Sequence, residues 1–219
     1  MVDQAGPFTS HPPLTGRRPL RRLVLASASP ARLRLLRDAG LDPEVVVSGV
    51  DETVAGRHGA VADVVRSLAT LKAERVASRP DVGDALVVGC DSLLAFDGES
   101  VGKPVDASDA VRRLRRMRGH EGVLHTGHCL IDTRDGRVAS EVSATTVRFG
   151  RFTDAELDAY VATGEPLAVA GAFTLDGRSA PFVDGIDGDP GTVIGLSLPV
   201  LRRLLAELGV SITDLWVDP

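Results

Sequence analysis

Apolar residues recur every three or four positions in five segments of the chain, the spacing that places them on one face of a helix. These segments predict helices over residues 30–40, 60–79, 106–118, 153–163 and 198–208. In the second helix the predicted inner face consists of Val61, Val64, Val65, Leu68, Leu71 and Val76. Suitable N-terminal caps are Ser29, Asp106 and Thr153, the last with Glu156 three residues later.

Other segments are apolar in short runs or alternate with polar residues, which is typical of strands. They predict strands over 23–27, 43–50, 85–90, 122–133 and 137–149, with short strands at 173–177 and 180–186. The continuous run ALVVGC at 85–90 predicts a strand that is buried on both faces. Arg134-Asp135-Gly136 predicts an antiparallel hairpin between the two long strands. Strand–helix units that precede a β-rich part predict a mixed α/β fold.

Residues 1–19 contain several Pro and Gly and show no hydrophobic period, so we expect a flexible tail before one domain at 20–219. Apolar runs are shorter than the roughly 18 residues that a membrane span needs, and the N-terminus lacks the apolar core of a signal peptide. The two cysteines, Cys90 and Cys129, are expected to be buried thiols rather than a disulfide framework or zinc cluster. We therefore expect a cytoplasmic protein without a membrane partner.

The formal charge of -5 argues against general binding of nucleic acid. Five arginines crowd one helix, at positions 112, 113, 115, 116 and 118, opposite its apolar face. We interpret them as a solvated basic face, with nucleic-acid contact as the minor alternative. His125 and His128 have neither a cysteine pair nor an HExxH motif beside them, so we interpret both as ordinary strand residues.

The junction LVLASASPARL, at 23–33, is a candidate anion site. The first N–H groups of a helix lack internal partners and carry partial positive charge. Ser27 and Ser29 add hydroxyl groups, and Arg32 adds a charged fork that suits phosphate. The P-loop and GxGxxG motifs are absent. The alternative is that Ser29 only caps the helix and that Arg32 is solvated.

Two acidic positions are candidates for metal binding or proton transfer. Asp51-Glu52 follows a predicted strand, where it would either hold a divalent ion or open a turn. Asp91 ends the buried run ALVVGC, and a carboxylate there is costly unless a cation or a proton is near. It is therefore a candidate general base or metal ligand, with a turn cap as the alternative.

Two lysines lie in unusual places. Lys72 falls on the apolar face of its predicted helix, so its side chain must either snorkel to water or reach an anion in a cleft. Lys103 lies between Gly102 and Pro104, a rigid setting that suits contact with a phosphate oxygen.

In chain order, the motifs LASASPARLRLLRDAG, VDE, LATLKA, VGCDSLL, GKP and HTG, and later GEPLAVAGAFTLDG and IDGDPGTVIGLSLP, resemble the Maf family over residues 21 to about 210. That family belongs to the wider inosine triphosphate pyrophosphatase-like group. The resemblance implies an elongated, twisted mixed sheet flanked by helices, with two lobes around a central cleft. It also implies hydrolysis of nucleoside triphosphates, including modified ones, to monophosphate and pyrophosphate with Mg²⁺ or Mn²⁺, and a homodimer.

The resemblance also implies roles for individual residues. Asp91 corresponds to the proton acceptor that activates water, and Glu52 and Asp91 would hold the metal. The other catalytic charged residues would be Glu52, Lys72 and Lys103. The substrate-binding residues would be Ser27, Ser29, Arg32, Ser92 and Asp176.

The chain departs from the family pattern at three positions. Ala31 stands where an arginine is common, Ser92 where threonine is common, and Asp176 where glutamine or glutamate often selects the substrate. These departures concern base selection and leave the preferred nucleotide open. Bacterial members have also been linked to inhibition of septum formation. The alternative function is therefore a nucleotide-binding regulator of cell division that acts without catalysis.

Overall fold

The computed structural model describes residues 21–50 and 59–217. The tail predicted at 1–19 and the candidate acids Asp51 and Glu52 lie outside these residues. The described elements are β1 (Leu23–Leu25), α1 (Pro30–Asp38), β2 (Glu44–Val45), α2 (Val61–Ala77), β3 (Leu86–Phe96), β4 (Glu99–Val101), α3 (Ala107–Met117), β5 (Glu121–Asp132), β6 (Val138–Phe149), α4 (Asp154–Ala162), β7 (Val183–Asp187), α5 (Pro190–Ile194) and α6 (Leu198–Glu207).

The strands form one seven-stranded mixed sheet in the order β2-β1-β3-β5-β6-β7, with β4 also paired to β3. β1 is parallel to both β2 and β3, whereas the other pairs are antiparallel. The predicted hairpin is confirmed as β5 and β6, which pair from Glu121 to Ile131. The mixed α/β fold is likewise confirmed.

β3 has a gap along one of its edges. β5 pairs along nearly the whole of the opposite edge. On the gapped edge, β1 pairs with Leu86–Val88 and β4 pairs with Leu94–Phe96. None of the described strands pairs with the stretch between them on that edge. The gap divides the sheet into two ends and produces a cleft near its middle.

Separate hydrophobic clusters form on the two sides of this gap. One contains residues of β1, α1 and α6, among them Leu25, Leu36 and Leu201. The other gathers side chains from the far end of β3, from α3 and from α4, such as Leu94 and Leu114. The arrangement agrees with the expected two lobes around a central cleft.

Helix α2 lies against β3 and β5 at unusually short range, because two glycines face it. A Cβ atom added at Gly89 would lie 2.3 Å from the carbonyl oxygen of Ala69, and one at Gly127 would lie 2.2 Å from that of Val65. Both distances are impossible for a real side chain, so only glycine permits this approach. The close packing brings the inner face of α2 directly onto the sheet.

Leu71 was wrongly placed on the inner face of α2, since it is 41% exposed. The buried face is centred on Val65, Leu68, Lys72 and Val76. Leu71 precedes Lys72 by one residue and is therefore rotated by about 100° around the helix axis.

Several strand predictions were wrong in extent. The strand predicted at 43–50 is only Glu44–Val45, because it lies at the sheet edge with β1 as its neighbour and Val47 is 54% exposed. The segment 173–177 forms no strand. The segment predicted at 180–186 begins with a short 3-10 turn, and β7 covers only Val183–Asp187.

Cys90 and Cys129 are buried free thiols, as expected. Burial raises the pKa of each to about 11, which keeps them protonated and unreactive. In the described part of the chain, no helix combines the length and apolarity required to cross a bilayer.

The arginines of α3 and its C-terminal end pair with acids of the same chain. Their partners are Asp97, Glu99, Asp109 and Asp154. The predicted basic face is therefore largely balanced by neighbouring carboxylates, which gives no support to the alternative of nucleic-acid contact.

Candidate active site

A cavity of about 470 Å³ opens at the gap in the sheet. Of the nine residues that the sequence predicted for the site, eight line this cavity. They are Ser27, Ser29, Arg32, Lys72, Asp91, Ser92, Lys103 and Asp176. The ninth, Glu52, lies outside the described residues.

A second cavity, of about 380 Å³, lies at the C-terminal end of α2. It is lined by Ser48, Arg75, Ser78, Arg79 and Pro80. None of the predicted site residues lines it, so the cavity at the gap is the candidate active site.

Asp91 and Lys72 form a buried ion pair in the cavity wall. The ammonium group of Lys72 donates to Oδ1 of Asp91 at 2.5 Å, and the residues are 7% and 6% exposed. Lys72 therefore reaches an anion in a cleft, which was one of the two expected arrangements. The expectation that Asp91 ends its strand was wrong, because β3 continues to Phe96 and Asp91 pairs with Gly127.

The position of Asp91 still satisfies the rule for ligand sites in open α/β sheets. β1, which runs parallel to β3, pairs with it only as far as Val88. Asp91 therefore lies beyond the carboxyl end of β1, where such sheets commonly bind ligands. Its neighbour Ser92 points to the opposite face of the strand. Both line the cavity, at the part of β3 that none of the described strands pairs with on that edge.

The junction between β1 and α1 has the expected cap. Oγ of Ser29 accepts a hydrogen bond from the backbone N–H of Arg32 at 3.4 Å, with Pro30 at the start of the helix. Oγ of Ser27 accepts from the backbone N–H of Ser29 at 3.2 Å and from Arg32 Nη1 at 3.0 Å. These two bonds use the acceptor positions of Ser27. Its hydroxyl proton is still available for donation to a ligand.

Arg32 is not solvated, so that part of the alternative interpretation was wrong. Its Nε donates to the carbonyl oxygen of Gly195 at 2.7 Å, and its Nη2 donates to Ser92 Oγ at 3.2 Å. Gly195 has a φ of +123°, and a Cβ there would lie 3.1 Å from Arg32 Nε. With the contact to Ser27, these bonds use three of the five N–H groups of the guanidinium. The remaining two are suited to a bound anion.

Lys103 is exposed at the cavity and is mounted on a fixed backbone. The carbonyl oxygen of Gly102 accepts from Arg113 Nη1 at 2.9 Å and from the backbone N–H of Gly171 at 3.2 Å. These bonds tie the lysine segment to α3 and to the segment of Gly171. The rigid setting expected from the sequence is therefore present.

Asp176 lies at the mouth of the cavity, where it pairs with Arg34 of α1. Its segment is held from behind by Glu165, which accepts from Thr174 Oγ1 at 2.7 Å and from the backbone N–H of Arg178 at 3.0 Å. Burial acts to raise the pKa of Glu165, but these hydrogen bonds outweigh it and leave the pKa below its usual value. The contacts fix the segment that carries Asp176.

Apolar side chains form another part of the wall. They are Leu124, Val169, Phe173, Val193 and Ile194. The cavity therefore offers charged and hydroxylated groups in one part and an apolar surface in another. An amphipathic ligand with several negative charges fits this division.

His128 lies behind the site and is fully buried. Its Nε2 accepts from the backbone N–H of Ser197 at 2.8 Å. Burial, and to a lesser degree the charge of Arg32, lowers the pKa of His128 to about 4. The imidazole is therefore neutral near pH 7, and it serves as a structural acceptor rather than as a proton donor.

The described side chains suit a divalent cation that is held jointly by the protein and a bound ligand. They do not form a site that would hold a metal with protein groups alone. No group of three His, Cys, Asp or Glu side chains suited to a metal occurs among the described residues. Asp91 nevertheless supplies a carboxylate in the cavity. Mg²⁺ is commonly held by one or two carboxylates together with substrate phosphates, which matches this donor set.

Comparison with known proteins gives the family. The family model described as Maf-like protein matches residues 22–208. The chain belongs to the Maf-like protein family. Similar proteins named nucleoside triphosphate pyrophosphatase occur in Streptomyces coelicolor and Streptomyces avermitilis, with 63% and 62% identity over 198 residues, or 90% of this chain and 96% of each relative. A protein of the same name from Salinispora tropica is 56% identical over 206 residues, covering 93% of this chain and 90% of the relative.

The structure adds residues to this Maf-like site that the sequence analysis did not single out. Gly195 supplies a carbonyl acceptor for Arg32, and Thr126 contacts Ser92 from the core. Both lie in motifs that carry the family resemblance, HTG and IDGDPGTVIGLSLP. Their roles depend on contacts across 163 and 34 positions of the chain, which no local pattern records.

Proposed function

We propose that this protein is a hydrolase of acid anhydrides that converts nucleoside triphosphates to monophosphates and pyrophosphate. The observation that carries the proposal is the convergence of Arg32, Lys72, Lys103 and Asp91 on one cavity. The relatives named nucleoside triphosphate pyrophosphatase, at 56% to 63% identity, support the same activity.

The cationic groups suit a triphosphate. Arg32 has two N–H groups left for phosphate oxygens, and Lys103 is exposed on a fixed segment. The N-terminus of α1 adds partial positive charge beside Ser27. Attraction of this kind is local, so it is compatible with the acidic charge of the whole chain.

Asp91 is the proposed general base. Its carboxylate takes a proton from a water molecule as the water oxygen bonds to the α-phosphorus. The bond between the α-phosphorus and the bridging oxygen breaks, and pyrophosphate leaves with the bonding electrons. Lys72 holds the carboxylate in place by donating to Oδ1.

We propose that Asp91 also takes part in holding Mg²⁺ or Mn²⁺, together with Glu52 and with phosphate oxygens of the substrate. When bound, such a cation neutralises phosphate charge and polarises phosphorus–oxygen bonds. The nucleoside would lie against the apolar wall near Phe173, with Ser29, Ser92 and Asp176 as further substrate-binding residues. We further propose that residues 20–219 form a single domain, and that the protein acts in the cytoplasm as a homodimer.

The test uses purified protein with Mg²⁺ or Mn²⁺ and a panel of standard and modified nucleoside triphosphates. Release of both pyrophosphate and nucleoside monophosphate is expected for at least one of them. Absence of pyrophosphate release across the panel would refute the proposed activity.

Overproduction of an inactive Asp91→Asn variant tests the alternative role, because a regulator that acts without catalysis would still block septation.

A further inference from the structure

A chain of hydrogen bonds leads from Arg32 into the protein core. Arg32 Nη2 donates to Ser92 Oγ at 3.2 Å, and Ser92 Oγ lies 2.9 Å from Thr126 Oγ1. Thr126 Oγ1 in turn donates to the carbonyl oxygen of Thr192 at 2.7 Å. Thr126 is fully buried, so it has no exposed surface for a ligand to touch. Its link to the site is the hydrogen bond with Ser92.

The direction of each bond follows from the chemistry of the groups. A carbonyl oxygen can only accept, so the single hydroxyl proton of Thr126 points toward Thr192. Thr126 Oγ1 is then the acceptor for Ser92, whose own proton is used in that bond. Ser92 therefore presents lone pairs to Arg32, whose guanidinium group can only donate. The carbonyl group at one end fixes the polarity of the whole chain.

We infer that Thr126 is a positioning residue for the phosphate-binding arginine. It fixes the Ser92 hydroxyl as an acceptor, and this orients the guanidinium of Arg32 toward the cavity. The inference rests on the proposed function, in which Arg32 binds phosphate groups of the substrate. Arg32 has a long side chain with many rotamers, so the loss of one of its anchors disorders its binding geometry.

Thr145 provides a matched control. It is fully buried on β6, and its Oγ1 donates to the carbonyl oxygen of Asp189 at 3.0 Å, just before α5. Thr145→Val therefore removes a buried hydroxyl that donates to a carbonyl oxygen, as Thr126→Val does; the Asp189 oxygen also accepts from the backbone N–H of Thr192 at 3.1 Å. Only Thr126 is linked to Arg32 through Ser92. A structural effect would appear in both variants, whereas a positioning effect would appear in one.

The experiment measures kcat and KM for a triphosphate that the wild type hydrolyses, and the Kd of inorganic tripolyphosphate by calorimetry in the presence of Mg²⁺. Thr126→Val should raise KM and this Kd by roughly five- to tenfold, with kcat changed by less than about twofold. Phosphate groups are present in both the ground state and the transition state, so the effect falls on binding. Thr145→Val should leave both constants near wild type, and Thr126→Ser should restore them.

Equal effects of Thr126→Val and Thr145→Val, or no rescue by Thr126→Ser, would overturn the inference. If Thr126→Val does not fold, Thr126→Ala, which removes the same hydroxyl without placing a methyl group in its position, must weaken tripolyphosphate binding to a similar extent. A wild type that hydrolyses no triphosphate would refute the proposed function instead. The tripolyphosphate measurements would then still decide whether Thr126 positions Arg32.

Discussion

The ammonium nitrogen of Lys72 lies 2.5 Å from Oδ1 of Asp91, and both side chains are more than nine-tenths removed from water. Each charge compensates the other in a region of low dielectric constant. The pair therefore links the proposed chemistry of Asp91 to the stability of the packing between α2 and β3.

Replacement of Asp91 by Asn should reduce kcat by about 10²- to 10⁴-fold, because the amide cannot take a proton from water. Its oxygen can still accept from Lys72, but the substitution removes one charge of a buried ion pair, so the variant should fold with reduced stability. Pyrophosphate release measures the first effect, and circular dichroism checks the second. Wild-type turnover in a folded Asp91→Asn protein would remove Asp91 from the mechanism.

Replacement of Lys72 by Met should lower the free energy of unfolding by about 3–5 kcal/mol, because it removes one partner of a buried ion pair. The double variant Lys72→Met/Asp91→Asn removes both charges and should recover part of that loss. Urea denaturation at pH 7 measures the three proteins. A double variant less stable than Lys72→Met alone would contradict this account of the pair.

Gly127→Ala should separate α2 from the sheet, since the added Cβ would lie 2.2 Å from the carbonyl oxygen of Val65. The expected loss of stability is about 1–3 kcal/mol or more. Gly122, on the same strand, is the control, because its Cβ would first meet Leu94 Cδ1, the flexible end of a side chain, at 3.0 Å. Thermal unfolding should show the larger loss for Gly127→Ala, and equal losses would count against the close approach of the helix.

The lowered pKa of His128 predicts that the folded protein loses stability in mild acid. Its pKa is about 4 in the folded protein against an ordinary value of 6.5, so between these values the unfolded chain binds a proton that the folded protein does not. The contribution is complete above pH 6.5 and is lost as the pH falls toward 4, by about 3 kcal/mol in total. His128→Gln should therefore show a flatter dependence of unfolding free energy on pH. Parallel profiles for the two proteins would show that His128 does not titrate as predicted.

Removal of divalent cations should abolish activity with little effect on stability. Among the described residues the site offers the carboxylate of Asp91 rather than a closed cage, so the cation would bind mainly together with the substrate. A chelator should stop pyrophosphate release, and added Mg²⁺ or Mn²⁺ should restore it. The unfolding temperature without substrate should stay nearly constant, and a large drop on chelation would indicate a structural metal instead.

Much of the fold was predictable from local pattern. Helices α3 and α4 and the β5–β6 hairpin follow from side-chain periodicity, caps and turn residues within a few positions of one another. Lys72 was conspicuous for the same reason, as a charge on an apolar face. The extents of β2 and β3 were not predictable, because they depend on which strands lie beside them.

The sequence by itself determined the types of element and the set of charged and hydroxylated residues suited to a phosphate ligand. Only the tertiary structure decided that eight of those residues share a cavity, that Asp91 lies within a strand, and that Thr126 supports Arg32. The gap beside β3 exists because β1 and β4 pair with different parts of one strand edge. Such pairing depends on contacts between distant segments, whereas periodicity records only the neighbours of a residue along the chain.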